Sequence, residues 1–326
     1  SLCNDFFKNK KLSLALKKNI KKYVKKTEGA VGASFGGKNP LLLSVRSGAP
    51  VSMPGMMETV LNVGLTSKTI PHLIARSGSE RFAYDSYRRL IMMYADVVME
   101  KSLGLNKSAT GVRTKMEFLL EEMKKKNKYK DDSSVSAKHW KELSVKYLAL
   151  IKKDFGVEFP DDPHSQLFGA IEAVFSSWNG KRAKEYRALE NIPETMGTAV
   201  SVQAMVFGNL GEGCGTGVAF TRNPSTGENK FYGEWLQNAQ GEDVVAGIRT
   251  PHPILESVGS KNSLEKTMPK AFLELGVVRK TLEKHFDEMQ DIEFTIQNEK
   301  LWMLQTREGK RTGIAAIKIA TDMVKE

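Results

Sequence analysis

Two strand-like runs near the end of the sequence carry the residues best suited to chemistry. In Asp291-Ile292-Glu293-Phe294-Thr295 the two carboxylates are two positions apart, so on a β-strand both point to one face. A hard divalent cation such as Mg2+ takes oxygen ligands, commonly one or two carboxylates completed by nucleotide phosphates. The next run sets Gln305 and Arg307 on one face, and the short turn Asn298-Glu299-Lys300 would return it beside the acidic pair. Carboxylates for a metal would then stand next to a guanidinium for phosphate. The same pattern also fits a solvated strand face crossed by an ion pair, which is common and contributes little.

Other candidates are scattered along the chain. Arg46 follows the apolar run 41–45 and precedes a loop dense in glycine, proline and methionine, a common place for a ligand site at a strand exit. Arg88 and Arg89 are adjacent on a helical stretch, so only one of them readily faces a site. Glu242 and Asp243 follow a strand and could ligate a metal, hold a ribose or cap a helix. Met205-Val206-Phe207 could line an apolar adenine slot, although such a run is more often core. Gly36-Gly37-Lys38 lacks the full phosphate-loop pattern. The five histidines show no metal spacing, and Cys3 and Cys214 lie in unrelated settings, which excludes a disulfide framework and favours a reducing compartment.

The elements that must position these residues change character along the chain. Lysines at 8, 10, 11, 17, 18, 21, 22, 25 and 26 interleave with Leu12, Leu16, Ile20 and Val24 at helical spacing, which predicts an amphipathic helix with a solvated basic face. That accounts for much of the net charge of +11 without a nucleic-acid partner. A strand over 41–45 follows. Helical periodicity then dominates, at 81–99, 114–126, 136–155 and 165–178. From 198 the period becomes strand-like, over 199–207, 216–221 and 230–236. A helix over 270–289, strands over 292–297 and 301–306, and a last helix over 313–326 complete the reading. With 40% apolar and 27% charged residues in 326 the chain reads as globular, and no apolar run nears the ~20 residues that span a bilayer.

Several of these stretches closely resemble the pyruvate, phosphate dikinases. They are L-L-L-S-V-R-S-G-A-P-V-S-M-P-G-M-M from Leu41, R-F-A-Y-D-S-Y-R-R from Arg81, M-V-F-G-N from Met205, G-T-G-V-A-F-T-R-N-P-S-T-G-E from Gly215, Y-G-E-W-L-Q-N-A-Q-G-E-D-V-V-A-G-I-R-T-P from Tyr232, D-I-E-F-T from Asp291 and L-Q-T-R from Leu304. The resemblance is weakest over 101–165 and 255–270. It implies an α+β, ATP-grasp-like fold of two lobes with an inserted, mainly helical subdomain. The lobes would be 1–65 with 161–196, and 197–312; the insertion 66–160; and 313–326 a helix leading out of the domain.

The resemblance also implies a function. ATP, phosphate and pyruvate are converted reversibly to AMP, pyrophosphate and phosphoenolpyruvate, with Mg2+. This part would pass the β,γ-phosphoryl unit of ATP to a histidine on a separate swivelling domain of a homodimeric enzyme. By position, Arg46 and Arg89 match residues on the polyphosphate, Asp291 and Glu293 the metal-binding acids, and Gln305 and Arg307 the groups beside them. Glu242 and Asp243 fall in the nucleotide-site segment, and Met205 and Val206 are taken as nucleotide-binding. The family's G-G-K-G-A-N-L-type opening and its T-G-G-x-x-C-H motif are not found in these residues, so the chain is expected to hold the nucleotide step alone. The location expected is cytoplasmic, or a plastid or glycosome if a targeting segment lies upstream. The related synthases that use water continue the V-R-S segment differently; they and a non-catalytic basic binding module are the alternatives.

Overall fold

In the computed structural model, which describes all residues except 52, 246, 248 and 257–261, the chain divides into two units, Ser1–Met205 and Val206–Glu326. Ser52 of the V-S-M-P-G-M-M run, and Ala246 and Ile248 of the run from Tyr232, therefore lie outside the described residues.

The first unit is built on strands β1 (Leu43–Gly48), β2 (Thr59–Val63) and β3 (Ala199–Ala204), which form an antiparallel sheet in the order β2-β1-β3. Leu43, Val45, Val60 and Val63 are buried where the helices Glu80–Tyr94 and Pro163–Ser177 cover the sheet. Local chemistry sets the helix starts. Ser79 Oγ accepts from Phe82 N at 3.1 Å, and Asp162 Oδ2 accepts from Ser165 N at 2.7 Å ahead of Pro163 at the first helical position, both N-caps that satisfy otherwise orphaned amides. Among the described residues, 66–160 hold helices and turns and no strand. The basic stretch is not one helix but two, Leu2–Asn9 and Leu14–Val31, with Lys10, Lys11 and Leu12 in the break between them and Val24 buried.

Three further expectations shift. β1 runs on through Arg46 to Gly48, because residues 44–48 pair with 199–203 of β3; Arg46 is inside the strand, not at its exit. For the same reason β3 stands in the first unit, although its spacing set it with the later strands. The helix expected over 81–99 is α-helical only to Tyr94 and continues as a π-helix, Ala95–Ser102.

The second unit holds β4 (Gly215–Phe220), β5 (Tyr232–Gln237), β6 (His252–Pro253), β7 (Gln290–Gln297) and β8 (Lys300–Glu308), an antiparallel sheet in the order β6-β5-β4-β7-β8. The helix Pro269–Phe286 covers one face, where Trp235, Leu264, Ala271, Leu275, Ile292, Phe294 and Ile296 form a core. Because strand side chains alternate, burying Ile292 and Phe294 commits Asp291 and Glu293 to the other face. The helix Gly313–Lys325 buries Ala315 and Ile319 against Met289. Two separate antiparallel sheets with helices segregated from them make the chain α+β.

Candidate functional site

The β7–β8 hairpin brings the sequence-predicted pairs together. Asp291 is paired with Arg307 and Glu293 with Gln305. Arg307 Nε donates to Asp291 Oδ2 at 2.8 Å, and its Nη2 lies 3.8 Å from Glu293 Oε1. The side chains of Asp291, Glu293 and Arg307 are 12%, 27% and 35% exposed. One guanidinium thus stands over both carboxylates. An ion pair this open to water contributes about 0–1 kcal/mol, too little to prevent a phosphate-bound cation from drawing the carboxylates to itself. The ion-pair reading and the metal reading of this pattern are therefore compatible.

A β-bulge shapes the face. Glu293 pairs with Gln305 and Phe294 with Met303, which leaves Leu304 as an extra residue on β8. Bulges of this kind re-aim side chains; here the side-chain alternation of β8 is reset between 303 and 305. On the far side of β7, Val218 pairs with Glu293 and in turn with Glu234, so Glu234 is a third carboxylate on this face. It lies two strands from Glu293, ~10 Å away by strand spacing, too far to share an ion with it. Sequence reasoning did not single it out, because its place depends on the order of strands.

The other predicted residues of this unit lie at the opposite end of the same sheet. Gln237, at the end of β5, aligns through Gly215 with Ile296, five residues along β7 from Asp291, or ~17 Å. Beyond Gln237 come Glu242 and Asp243 on the short helix Gly241–Val245. Asp243 is buried, and its Oδ2 accepts from Gln240 N at 2.9 Å, so the capping alternative is realised for that oxygen. The strand expected over 199–207 stops at Ala204, and Val206 and Phe207 follow it outside the ladder. Phe207 N donates to Gln297 Oε1 at 2.7 Å, and Ala239 N to Gly208 O at 2.9 Å. Gly208 sits so close to the Ala239 and Gly215 carbonyls that a Cβ there would collide with both.

Arg46, Arg89 and Met205 belong to the first unit. Arg46 is half-buried on β1, between Thr59 and Ser201. Met205 N donates to Leu42 O at 2.9 Å, and its sulfur accepts from Asn62 N at 3.0 Å. Arg88 and Arg89 are both buried. Arg88 Nη2 meets Asp85 at 2.7 Å and Asp132 at 2.6 Å, and its guanidinium lies 4.3 Å from the Trp140 ring centroid. Arg89 Nε reaches Asp85 Oδ1 at 3.3 Å. Burial alone would raise the Asp85 pKa, but Arg89, then Arg88 and Arg81, hold it below the ordinary carboxylate value. Arg88 is thus held within the first unit by Asp85, Asp132 and the Trp140 ring.

The match to known proteins covers nearly the whole chain. Residues 3–272 and 256–326 match the family described as pyruvate phosphate dikinase, AMP/ATP-binding domain. The chain belongs to that family. It is 51% identical over 331 residues to the pyruvate, phosphate dikinase of Rhizobium meliloti, with 99% of this chain and 36% of the relative covered. It is 47% identical over 327 residues to the Clostridium symbiosum enzyme of the same name, again over 99% of this chain and 36% of the relative. Pyruvate, phosphate dikinase 1, chloroplastic, of Arabidopsis thaliana is 51% identical over 318 residues, covering 97% of this chain and 31% of the relative. The chain spans about a third of the length of these curated relatives. The fold is accordingly the ATP-grasp-like α+β fold of this AMP/ATP-binding domain family.

ATP binding within a kinase family suggests a divalent cation, and the donor set fits one. Asp291 and Glu293 are hard, acceptor-only oxygens on one face. Among the described residues no group of three or more His, Cys, Asp or Glu could hold a metal ion. Among the described residues no helix is long and apolar enough to cross a membrane.

Proposed function

We propose that this chain binds ATP with Mg2+ and serves the phosphoryl-transfer half of pyruvate, phosphate dikinase, passing the β,γ-phosphoryl unit to a histidine on another domain of the complete, homodimeric protein. Phosphate and pyruvate complete the reaction there. The observation that carries the reading is the single face on which Asp291 and Glu293 stand beside Gln305 and Arg307.

Asp291 and Glu293 would hold the cation, which when bound neutralises phosphate charge. Gln305 would donate a hydrogen bond to a phosphate oxygen. Arg307, released from Asp291, would pair with the anionic phosphoryl group through its planar fork. Arg46 and Arg89 would add positive charge on the polyphosphate. Such transfer depends on positioning and on charge already in place, so a set of modest charged contacts suffices. Val206, with Met205, would border the adenine, and Glu242 and Asp243 would belong to the nucleoside end of the site, since they lie toward the sheet end remote from Asp291. We also propose that the chain passes from the first lobe to the second at Met205/Val206, with 66–160 as the helical insertion of the first and 313–326 leading out of the second. The compartment would be the cytoplasm, or a plastid as the name of the Arabidopsis relative suggests.

The test is calorimetric titration of the chain with ATP, with and without Mg2+. Metal-dependent binding that is lost in Asp291→Ala and in Glu293→Ala is expected. Equal affinity in the two variants and the parent would sink the assignment of the face.

A further inference from the structure

The Leu304 bulge places one more side chain on the carboxylate face. Trp302 pairs with Thr295, and Gln305 pairs with Glu293. Thr295 and Glu293 share a face of β7, so Trp302 shares it too. In an unbroken strand, residues 302 and 305 are an odd number apart and would point to opposite sides. The extra residue removes that conflict. Along this face the sheet presents Gln297 holding Phe207 N, then Thr295 with Trp302, then Glu293 with Gln305, then Asp291 with Arg307, each step ~6.6 Å from the last.

Trp302 is 39% exposed, whereas Trp140, Trp178 and Trp235 are buried. A large indole left open to water one step from a pair of carboxylates is poorly explained by packing. It has the form of a stacking platform: a π-face takes any nucleobase, and the ring loses little freedom on binding. Lys300 Nζ lies 4.3 Å from the indole centroid, so the ring already takes one cation–π contact, and the indole is 39% exposed.

We propose that Trp302 stacks on the base of the nucleotide whose phosphates meet Asp291 and Glu293. This deepens the ATP reading and rests on it. The order along the face is what such a ligand needs, with aromatic surface on the side of Val206 and Phe207 and charge on the side of Arg307. Recognition by stacking would discriminate a nucleotide from free polyphosphate without reading the identity of the base.

The buried state of the other tryptophans gives a selective test. The chain is titrated with ATP and, separately, with inorganic tripolyphosphate, while indole emission and heat are both recorded. ATP is expected to quench emission saturably, tripolyphosphate is not, and the quenching should vanish in Trp302→Phe, which keeps an aromatic ring and most of the affinity. Trp302→Ala should weaken ATP binding about tenfold, within the range of single base–aromatic stacks, while tripolyphosphate affinity stays unchanged, a split that a merely structural role would not produce. Calorimetric binding of ATP with neither quenching nor a loss of affinity in Trp302→Ala would overturn the inference and leave the ATP reading standing. Absence of any heat with ATP would remove the ATP reading itself.

Discussion

Arg88 offers the sharpest test of how the first unit is held together. It is buried with its guanidinium shared between Asp85 at 2.7 Å and Asp132 at 2.6 Å, above the Trp140 ring. Replacing it with methionine keeps the stem's volume but takes the guanidinium away from two carboxylates, of which Asp85 is buried and Asp132 keeps Lys124 Nζ at 3.2 Å. Breaking a buried pair in this way costs about 3–5 kcal/mol, and the lost cation–π contact about 0.5–2 kcal/mol more. Arg89, 3.3 Å from Asp85, still partners that carboxylate, so the lower end, ~3 kcal/mol, is expected. For a unit of this size that corresponds to a fall in Tm of roughly 6–12 °C. In the double variant Arg88→Met/Asp85→Asn the buried charge at position 85 is gone, and the loss should be smaller than the sum of the single losses by about 0.5–3 kcal/mol. The assay is thermal unfolding of all four species. A fall of less than ~2 °C in Arg88→Met, or strict additivity in the cycle, would refute the account. The pH dependence has a definite sign. The Asp85 carboxyl is held below its ordinary value of 3.8 in the folded chain, so its contribution is complete above that value and is lost as pH falls through the lower, folded one. The parent should therefore lose stability below about pH 4 more steeply than Asp85→Asn.

Other outcomes follow from close contacts and from the charges around Arg222. A Cβ on Gly217 would lie 2.5 Å from the Glu234 carbonyl oxygen and 2.6 Å from Phe294 Cζ; Gly217→Ala should push β5 from β4 and lower stability by about 1–3 kcal/mol in a denaturant titration, and an unchanged midpoint would contradict the register. Arg222 is buried, with Glu283 at 3.1 Å and Glu326 at 2.7 Å; Arg222→Met should raise amide exchange in the helix Gly313–Lys325 while leaving the Glu80–Tyr94 helix unaffected. Asp291→Ala, tested above for metal-dependent binding, should change stability by no more than about 1 kcal/mol, because its partner Arg307 is partly exposed; a large fall in Tm would mean that the carboxylate serves the fold instead.

The acidic pair and its neighbours were legible because every step was local. A period of two fixes the shared face of Asp291 and Glu293, and a short turn fixes which residues of β8 come back beside them. The bulge at Leu304 was not legible, since no residue type there marks an insertion, and Trp302 was assigned no role as a result. The π-helical Ala95–Ser102 escaped for a similar reason: its apolar spacing continues that of the preceding α-helix.

Sequence alone determined which stretches read as helix and which as strand, the family, and the shared face of Asp291 and Glu293. These depend on intervals of a few residues, over which backbone geometry leaves little choice. Tertiary structure alone decided that β3 joins β1 across some 150 residues, that Arg88 is spent on Asp132, and that Glu242 and Asp243 stand at the far end of the sheet from Asp291. Those outcomes depend on which distant surfaces bury each other and on hydrogen bonds that close only when they do, and no local spacing encodes either.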